Sequence, residues 1–267
     1  MQDFYKYHGA GNDFVIIDAR SEAFDCPKER VAALCNRRTG IGADGLMILE
    51  NHAQAEFLMR YFNADGGEAT MCGNGGRCMA LFAHHLGIGS TDKLFMGVDG
   101  AHAAKILCDD GVEGRVRLQM IDVDKVEVNQ TYTFLNTGSP HYVEFCDNVR
   151  EVDVYNRGKQ IRHSDTFAAI SGTNVNFVEY VKDGHIKVRT FERGVEDETL
   201  ACGTGSVASA LASALKYAPE VNSWRVDVEG GELAVEFEKL ENGGYVNIFL
   251  EGPAIRVFKG EFDAQKF

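Results

Sequence analysis

The chain has 267 residues, 45% hydrophobic and 25% charged, with 40 acidic against 27 basic residues for a formal charge of -13. The length suits one large domain or two of average size, and the negative balance speaks against nucleic acid or an anionic membrane as partner. No apolar run approaches the ~18 residues of a membrane span, and the seven cysteines are odd in number and lack CxxC spacing, so neither a disulfide frame nor a zinc site is suggested.

The opening residues carry no basic stretch leading into an apolar core, so the expected setting is cytoplasmic, with reduced thiols. Residues 4–8 and 13–18 read as short strands separated by the turn sequence Gly9-Ala10-Gly11-Asn12. Residues 27–36 are helical in pattern, with Val31, Leu34 and Cys35 on one face. Residues 37–50 form a glycine-rich loop running into a strand; without a Gly-Lys-Ser/Thr ending or a strand-GxGxxG-helix context, a nucleotide cradle is set aside.

A strand over 55–62 then leads into Cys72-Gly73-Asn74-Gly75 and an apolar helical pattern over 79–86. Residues 93–98, 102–108 and 114–120 are β-like, with a turn at 109–111. In the second half, 126–136 and 142–145 read as strands and 149–162 as helix. A hairpin of 177–181 and 185–191 enters Cys202-Gly203-Thr204-Gly205, followed by a helical pattern over 207–215. Strands at 224–228, 233–237 and 245–250 close the chain. Many strands against few long helices predict an α+β fold, each lobe a curled, mostly antiparallel sheet around its helix.

The two Cys-Gly-x-Gly segments are copies. The stretch from Arg60 to Cys72 aligns with that from Arg189 to Cys202, the second carrying one extra residue, which indicates an internal duplication. Glycines that let the backbone turn tightly would set N–H groups and a helix dipole beside each cysteine, where a thiol pKa falls. The plainer alternative, two small buried hydrophobes before helices, suits one copy better than two.

Two cysteines at equivalent places in two similar lobes fit inversion of a carbon stereocentre, with a thiolate removing a proton on one face and a thiol delivering one on the other across the cleft between the lobes. The pair shares one proton and titrates as a unit. Backbone N–H groups of Gly73, Asn74, Gly203 and Thr204 could hold the substrate α-carboxylate as charge develops on it. No metal is implied and nothing requires pyridoxal or another cofactor.

With HGAGNDFVIID at His8, RRTGIGADGL at Arg37, RYFNADGGEATMCGNGGRC at Arg60, SPHYV at Ser139, TNVNFV at Thr173 and FERGVEDETLACGTG at Phe191, the chain closely resembles the diaminopimelate epimerases over nearly its full length. The resemblance implies two similar lobes, residues 1–122 with the returning segment 254–267 around Cys72 and residues 123–253 around Cys202. It implies a cofactor-free isomerase of lysine and peptidoglycan precursor synthesis, converting LL- to meso-diaminopimelate, with a homodimer as the assembly to test. Cys72 and Cys202 would be the acid-base pair, Asn12, Asn63, Asn174 and Arg193 would hold the ligand's polar ends, Glu192 its ammonium side, and His141 and Glu192 would tune the thiols.

Taken singly, each of these residues has a structural reading. The asparagines sit where turns are capped, Arg193 could form a surface ion pair, and His141 could be a structural histidine. Cys78 is assigned to core packing. Three departures from the family pattern stand out: Ser139 in Gly138-Ser139-Pro140-His141 where relatives often have asparagine, Gly45 where some have a polar side chain, and the lengthened loop 194–199. The alternatives are a proline- or hydroxyproline-type racemase, whose substrates lack a distal zwitterion for Arg193, and a non-catalytic amino acid-binding protein, which would not need both cysteines.

Overall fold

The computed structural model describes every residue except Met71, which lies within the first cysteine motif. The chain divides into two units, Met1–Leu118 with Gly252–Phe267, and Gln119–Glu251. Each has many strands and one long central helix, the α+β class read from the sequence.

The first unit runs β1 (Gln2–Gly9), β2 (Asn12–Asp18), α1 (Lys28–Cys35), β3 (Gly45–Glu50), β4 (Phe57–Asn63), β5 (Glu68–Ala69), α2 (Gly73–His85), β6 (Asp92–Gly97), β7 (Gly100–Asp109) and β8 (Glu113–Gln119). The second runs β9 (Val126–Val128), β10 (Thr133–Asn136), β11 (Pro140–Cys146), α3 (Val154–Arg162), β12 (Asn174–Lys182), β13 (His185–Glu192), β14 (Asp197–Thr199), α4 (Gly203–Tyr217), β15 (Ser223–Val228), β16 (Gly231–Lys239) and β17 (Tyr245–Phe262). β17 serves both: its first residues pair with β16, and from Gly252 onward it pairs with β8 and β1.

The duplication is visible in the strand pairings. β1 and β2 are antiparallel, β2 and β3 parallel across α1, β3 and β4 antiparallel, and β4 then pairs with β5 antiparallel and β6 parallel. The second unit repeats this with β10, β11, α3, β12, β13, β14 and β15. The aligned arginines hold equivalent places: Arg60 Nε donates to Glu68 at 2.8 Å, and Arg189 Nε to Glu198 at 2.6 Å, each fastening the short strand that leads into its cysteine.

Both central helices are buried on nearly every face, as befits a helix enclosed by its sheet. Residues 73–83 of α2 are all buried, as are 205–214 of α4. Val31, Leu34 and Cys35 of α1 are buried as their spacing predicts, in a cluster with Val15, Ile17, Leu46 and Ile48.

Three local expectations are corrected. The strand expected over 126–136 is the hairpin β9–β10, because the polar residues after Val128 turn the chain and Asn129 N–H donates to Tyr132 O at 2.8 Å. The helix expected over 149–162 is a 3-10 turn, Val149–Glu151, followed by α3, since the Asp153 carboxylate accepts from Asn156 N at 3.1 Å and begins a new helix. The glycines after each cysteine are not turn residues: Gly73, Gly75, Gly76, Gly203 and Gly205 lie inside the helices and have no positive φ.

What those glycines provide is room. A Cβ on Gly75 would stand 3.1 Å from Met47 Sδ, and one on Gly205 would stand 2.4 Å from Asn176 Oδ1. Each helix start can therefore press against the strand behind it, β3 in one unit and β12 in the other.

Candidate active site

Cys72 and Cys202 each occupy the residue just before a central helix, with extended backbone (φ -94° and -112°), and neither side chain caps its helix. The earliest helical bonds run from Gly76 N to Cys72 O at 2.7 Å and from Ser206 N to Cys202 O at 2.9 Å. The amides of the first turn, starting at Gly73 and at Gly203, thus point out of the helix end, where the dipole favours an anion. Cys72 is half-buried and Cys202 is 6% exposed.

In the first unit, Asn12 at the start of β2 lies against Cys72, with Sγ 3.7 Å from its Oδ1. Asn74 Nδ2 donates to the same oxygen at 3.3 Å. Behind them sits Arg77, fully buried, giving Nη2 to Asn74 Oδ1 at 2.9 Å and Nη1 to Gly73 O at 3.2 Å. Burial lowers the Arg77 pKa to about 10, which leaves it a cation at neutral pH.

The other end of Asn12 donates to Asp44 Oδ2 at 2.7 Å. Asp44 and Asp13 share Arg37, at 2.7 and 2.6 Å, and Lys6 pairs with Asp13 at 2.6 Å. Burial works to raise the Asp13 pKa, but the hydrogen bonds and charges of Arg37 and Lys6 outweigh it and hold the carboxyl far below the usual range. Cys78, the residue after Arg77 on α2, is fully buried and its thiol is pushed up by burial, which fits the core-packing role read from the sequence.

In the second unit, Thr204 Oγ1 lies 3.5 Å from Cys202 Sγ and 3.3 Å from Ser139 Oγ. Ser139 Oγ is in turn 3.0 Å from His141 Nε2 and accepts from Asn174 Nδ2 at 3.0 Å. Asn176 Nδ2 approaches His141 Nδ1 at 3.1 Å and also donates to Tyr142 O at 2.9 Å. His141 is fully buried, and burial, with Arg193 acting in the same direction, drives its pKa down to about 3.

Asn174 Oδ1 accepts from Arg193 N at 2.9 Å, which joins the start of β12 to the end of β13. Arg193 Nη1 reaches Ile170 O at 3.4 Å, and Glu192 Oε2 accepts from Thr199 Oγ1 at 2.9 Å. The lengthened loop turns through Gly194 and Glu196, both with positive φ, and Glu196 binds Arg162 at 3.0 Å.

The residues singled out from the sequence thus gather in two places. Cys72, Gly73, Asn74 and Asn12 stand together in one unit, and Cys202, Thr204, His141, Asn174 and Arg193 stand together in the other through Ser139. Asn63 is at the end of β4, exposed, its Oδ1 accepting from Tyr61 OH at 2.9 Å. Gly45 pairs with Asn63, and a Cβ there would meet Phe62 O and Tyr61 Cε2 at 2.6 Å, so a side chain could enter only if the strand moved.

Sequence reasoning missed Arg77 and Asn176. Arg77 follows a glycine run, where a charged residue reads as a solvent-facing position. Asn176 lies two residues after Asn174 on the same face of β12, and that period of two was the available signal. Among the described residues, no group of three or more His, Cys, Asp or Glu is arranged to hold a metal ion, and no helix is long and apolar enough to cross a membrane.

The sequence model of the diaminopimelate epimerase family matches residues 4–126 and 133–257. A diaminopimelate epimerase of Flavobacterium psychrophilum is 47% identical over 258 residues, covering 96% of this chain and 98% of the relative. One from Chlorobaculum tepidum is 44% identical over 260 residues, covering 94% and 98%. Among solved structures, a phenazine biosynthesis protein of the PhzF family from Bacillus anthracis superposes with a TM-score of 0.78 at 14% identity, covering 98% of this chain and 99% of that one. A hydroxyproline epimerase from Agrobacterium vitis gives 0.66 at 13%, covering 98% and 90%. At these identities the structural likeness speaks to fold alone.

Proposed function

Because the chain belongs to the diaminopimelate epimerase family, we propose that it is an isomerase interconverting LL- and meso-diaminopimelate with Cys72 and Cys202 as its two proton-transfer groups. The observation that carries the reading is the repetition of one arrangement: a cysteine at the head of an enclosed helix, in each of two units of matching strand topology.

A sulfur in the thiolate form takes the α-proton, and the electron pair left on carbon is stabilised through the adjacent carboxylate. The thiol of the other cysteine then gives its proton to the opposite face of that carbon. The proton count is unchanged, one sulfur having gained what the other lost. Donors already aimed at the carboxylate as its charge grows are each worth roughly 3 kcal/mol, and the first-turn amides at Gly73 and Asn74 and at Gly203 and Thr204 fill that role in this reading. Asn12, Asn63, Asn174, Glu192 and Arg193 bind the remaining polar groups, with the planar fork of Arg193 suited to the distal carboxylate, while His141 and Glu192 set the electrostatics of the thiols.

The test is incubation with LL-diaminopimelate in deuterated water, beside proline, hydroxyproline, glutamate and aspartate. Deuterium appearing at the inverted α-carbon of diaminopimelate alone is the expected result; inversion without exchange, or inversion only of another amino acid, overturns the assignment. The reading carries with it a cytoplasmic enzyme using no cofactor and acting on a free amino acid, with a homodimer as its assembly, checked by sedimentation at twice the chain mass.

A further inference from the structure

The hydrogen bonds around the two cysteines have directions that the surrounding groups determine. Asp44 carboxylate can only accept, so the end of Asn12 that meets it is the amide NH2 and the end facing Cys72 is the carbonyl oxygen. Arg77 can only donate, so Asn74 turns Oδ1 to Arg77 and Nδ2 to that same Asn12 oxygen. The atom beside Cys72 Sγ, at 3.7 Å, is therefore an acceptor, and the contact is made by a sulfur that carries a proton.

At Cys202 the directions run the other way. The carbonyl of Tyr142 fixes Nδ2 of Asn176, which therefore donates to His141 Nδ1 and leaves the imidazole proton on Nε2. The carbonyl of Pro140 and the amide of Arg193 likewise fix Asn174, whose Nδ2 donates to Ser139 Oγ. Ser139 Oγ thus receives protons from both Asn174 and His141, and its one hydrogen is left for Thr204 Oγ1 at 3.3 Å. Thr204 Oγ1, accepting from Ser139, keeps its own hydrogen to give along the 3.5 Å contact to Cys202 Sγ.

We propose that the free enzyme has a set polarity, Cys72 as thiol and Cys202 as thiolate, and that Ser139 is the positioning residue that imposes it by relaying donor character from Asn174 and His141 through Thr204 to the sulfur. The inference deepens the epimerase reading and rests on it for its catalytic meaning: the stereoisomer whose α-proton faces Cys202 reacts with the resting enzyme directly, and its mirror centre needs the proton moved to Cys202 first.

The depressed pKa of His141 supports the neutral imidazole that the relay requires. The helix dipole favours a thiolate at both cysteines and so cancels between them. Titratable and charged groups of the same unit include Arg77, with Asp13, Asp44, Arg37 and Lys6 beyond Asn12, for Cys72, and the neutral His141, with Arg193 beyond Asn174 and Glu192 next to Arg193, for Cys202. Arg77 pulls toward a Cys72 thiolate, and the proposal sets against that pull the Asn12 oxygen, which meets the sulfur directly.

The experiment is alkylation of the substrate-free protein by iodoacetamide across pH, each cysteine quantified by peptide mass spectrometry and read by its midpoint, which is independent of accessibility. Cys202 is expected to titrate below Cys72. Ser139→Ala should raise the Cys202 midpoint by about one pH unit, tenfold in the thiolate equilibrium, lower the Cys72 midpoint through the proton the two share, and lower kcat more than it changes KM. Ser139→Thr, which keeps the hydroxyl, should restore both, and Thr204→Val should give the Ser139→Ala shift with no further change in the double variant. A lower midpoint at Cys72, or a Cys202 midpoint unmoved in a folded Ser139→Ala protein, overturns the proposal. Since no substrate is present, neither result depends on which amino acid the enzyme inverts.

Discussion

Behind Cys72 the buried polar group is an arginine on the helix itself; behind Cys202 it is a neutral histidine on the neighbouring strand β11. The backbone arrangement is shared, down to the glycine three residues after each cysteine and the Arg–Glu pair before it. Duplication has therefore preserved the frame that places a sulfur at a helix start while the side chains behind it have diverged. The proposed reaction uses one acid and one base, and unlike surroundings decide which sulfur of a pair that shares one proton keeps it.

The largest effect should come from the sulfurs. Cys72→Ala and Cys202→Ala are each expected to lower kcat by about 10²–10⁴-fold, the range of a positioned acid or base, in proteins whose thermal unfolding stays close to wild type. If diaminopimelate inversion survives either change, the comparison of two matched acid-base sites fails.

Next in size is the loss of the buried cation. Arg77→Met removes one donor each from the buried Gly73 O and Asn74 Oδ1, and a cost of about 1–3 kcal/mol in urea unfolding is expected. Arg77→Lys keeps the charge without the fork and should fall between. The two glycines sharpen the same contrast. At Gly205 an added methyl meets Asn176 Oδ1, itself held by Thr190 at 3.0 Å, so Gly205→Ala should cost more than about 2 kcal/mol. At Gly75 the obstacle is the flexible end of Met47, and Gly75→Ala should stay within about 1 kcal/mol of wild type, helped by alanine's helix propensity.

The sequence carried the frame further than the polar interior. Alternating strands, the buried face of α1 and the repeated cysteine motif were readable because periodicity and duplication are properties of order along the chain. The relay through Ser139 was not, because it depends on β11 and β12 lying parallel with His141 opposite Asn174, a register that no local pattern determines. Ser139 read only as a departure from the asparagine that relatives often have; in the structure its hydroxyl joins His141, Asn174 and Thr204. Strands β5 and β14, of two and three residues, are held by the ion pairs of Arg60 and Arg189 rather than by a strand-like sequence. β17 runs on past the stretch expected for it because Gly252 and Pro253 pair with β8 instead of ending the strand.

His141 gives the comparison a pH dependence that Cys72 has no counterpart for. Its pKa is lowered from 6.5 to about 3 by burial, so between those values the unfolded chain binds a proton that the folded one does not. The contribution to stability is thus complete above pH 6.5 and is lost as pH falls toward 3, with a slope approaching about 1.4 kcal/mol per pH unit within that window. Urea unfolding at a series of pH values should show that slope reduced by about this amount in His141→Gln, whatever that variant costs at neutral pH; equal slopes would mean the imidazole is not buried and neutral.

The smallest effect concerns the paired ion pairs before each cysteine, where the two units look most alike and should still differ. Arg60 and Glu68 are 29% and 38% exposed and meet through one short bond, with Glu50 more distant at 3.7 Å. Arg189 is less exposed, engages both oxygens of Glu198 at 2.6 and 2.7 Å, and also donates to the carbonyls of Val149 and Val152. Solvent screening leaves an exposed pair little net value, whereas a fork held by carbonyls as well as a carboxylate has already lost much of its side-chain freedom before the ion pair forms. Glu68→Gln is therefore expected to change stability by less than about 0.5 kcal/mol and Glu198→Gln by about 1 kcal/mol, and only the second should loosen β14 enough to be seen as faster amide exchange in the residues leading into Cys202. Equal effects would show that the two short strands are fastened alike, and that the divergence between the units begins only behind the helices.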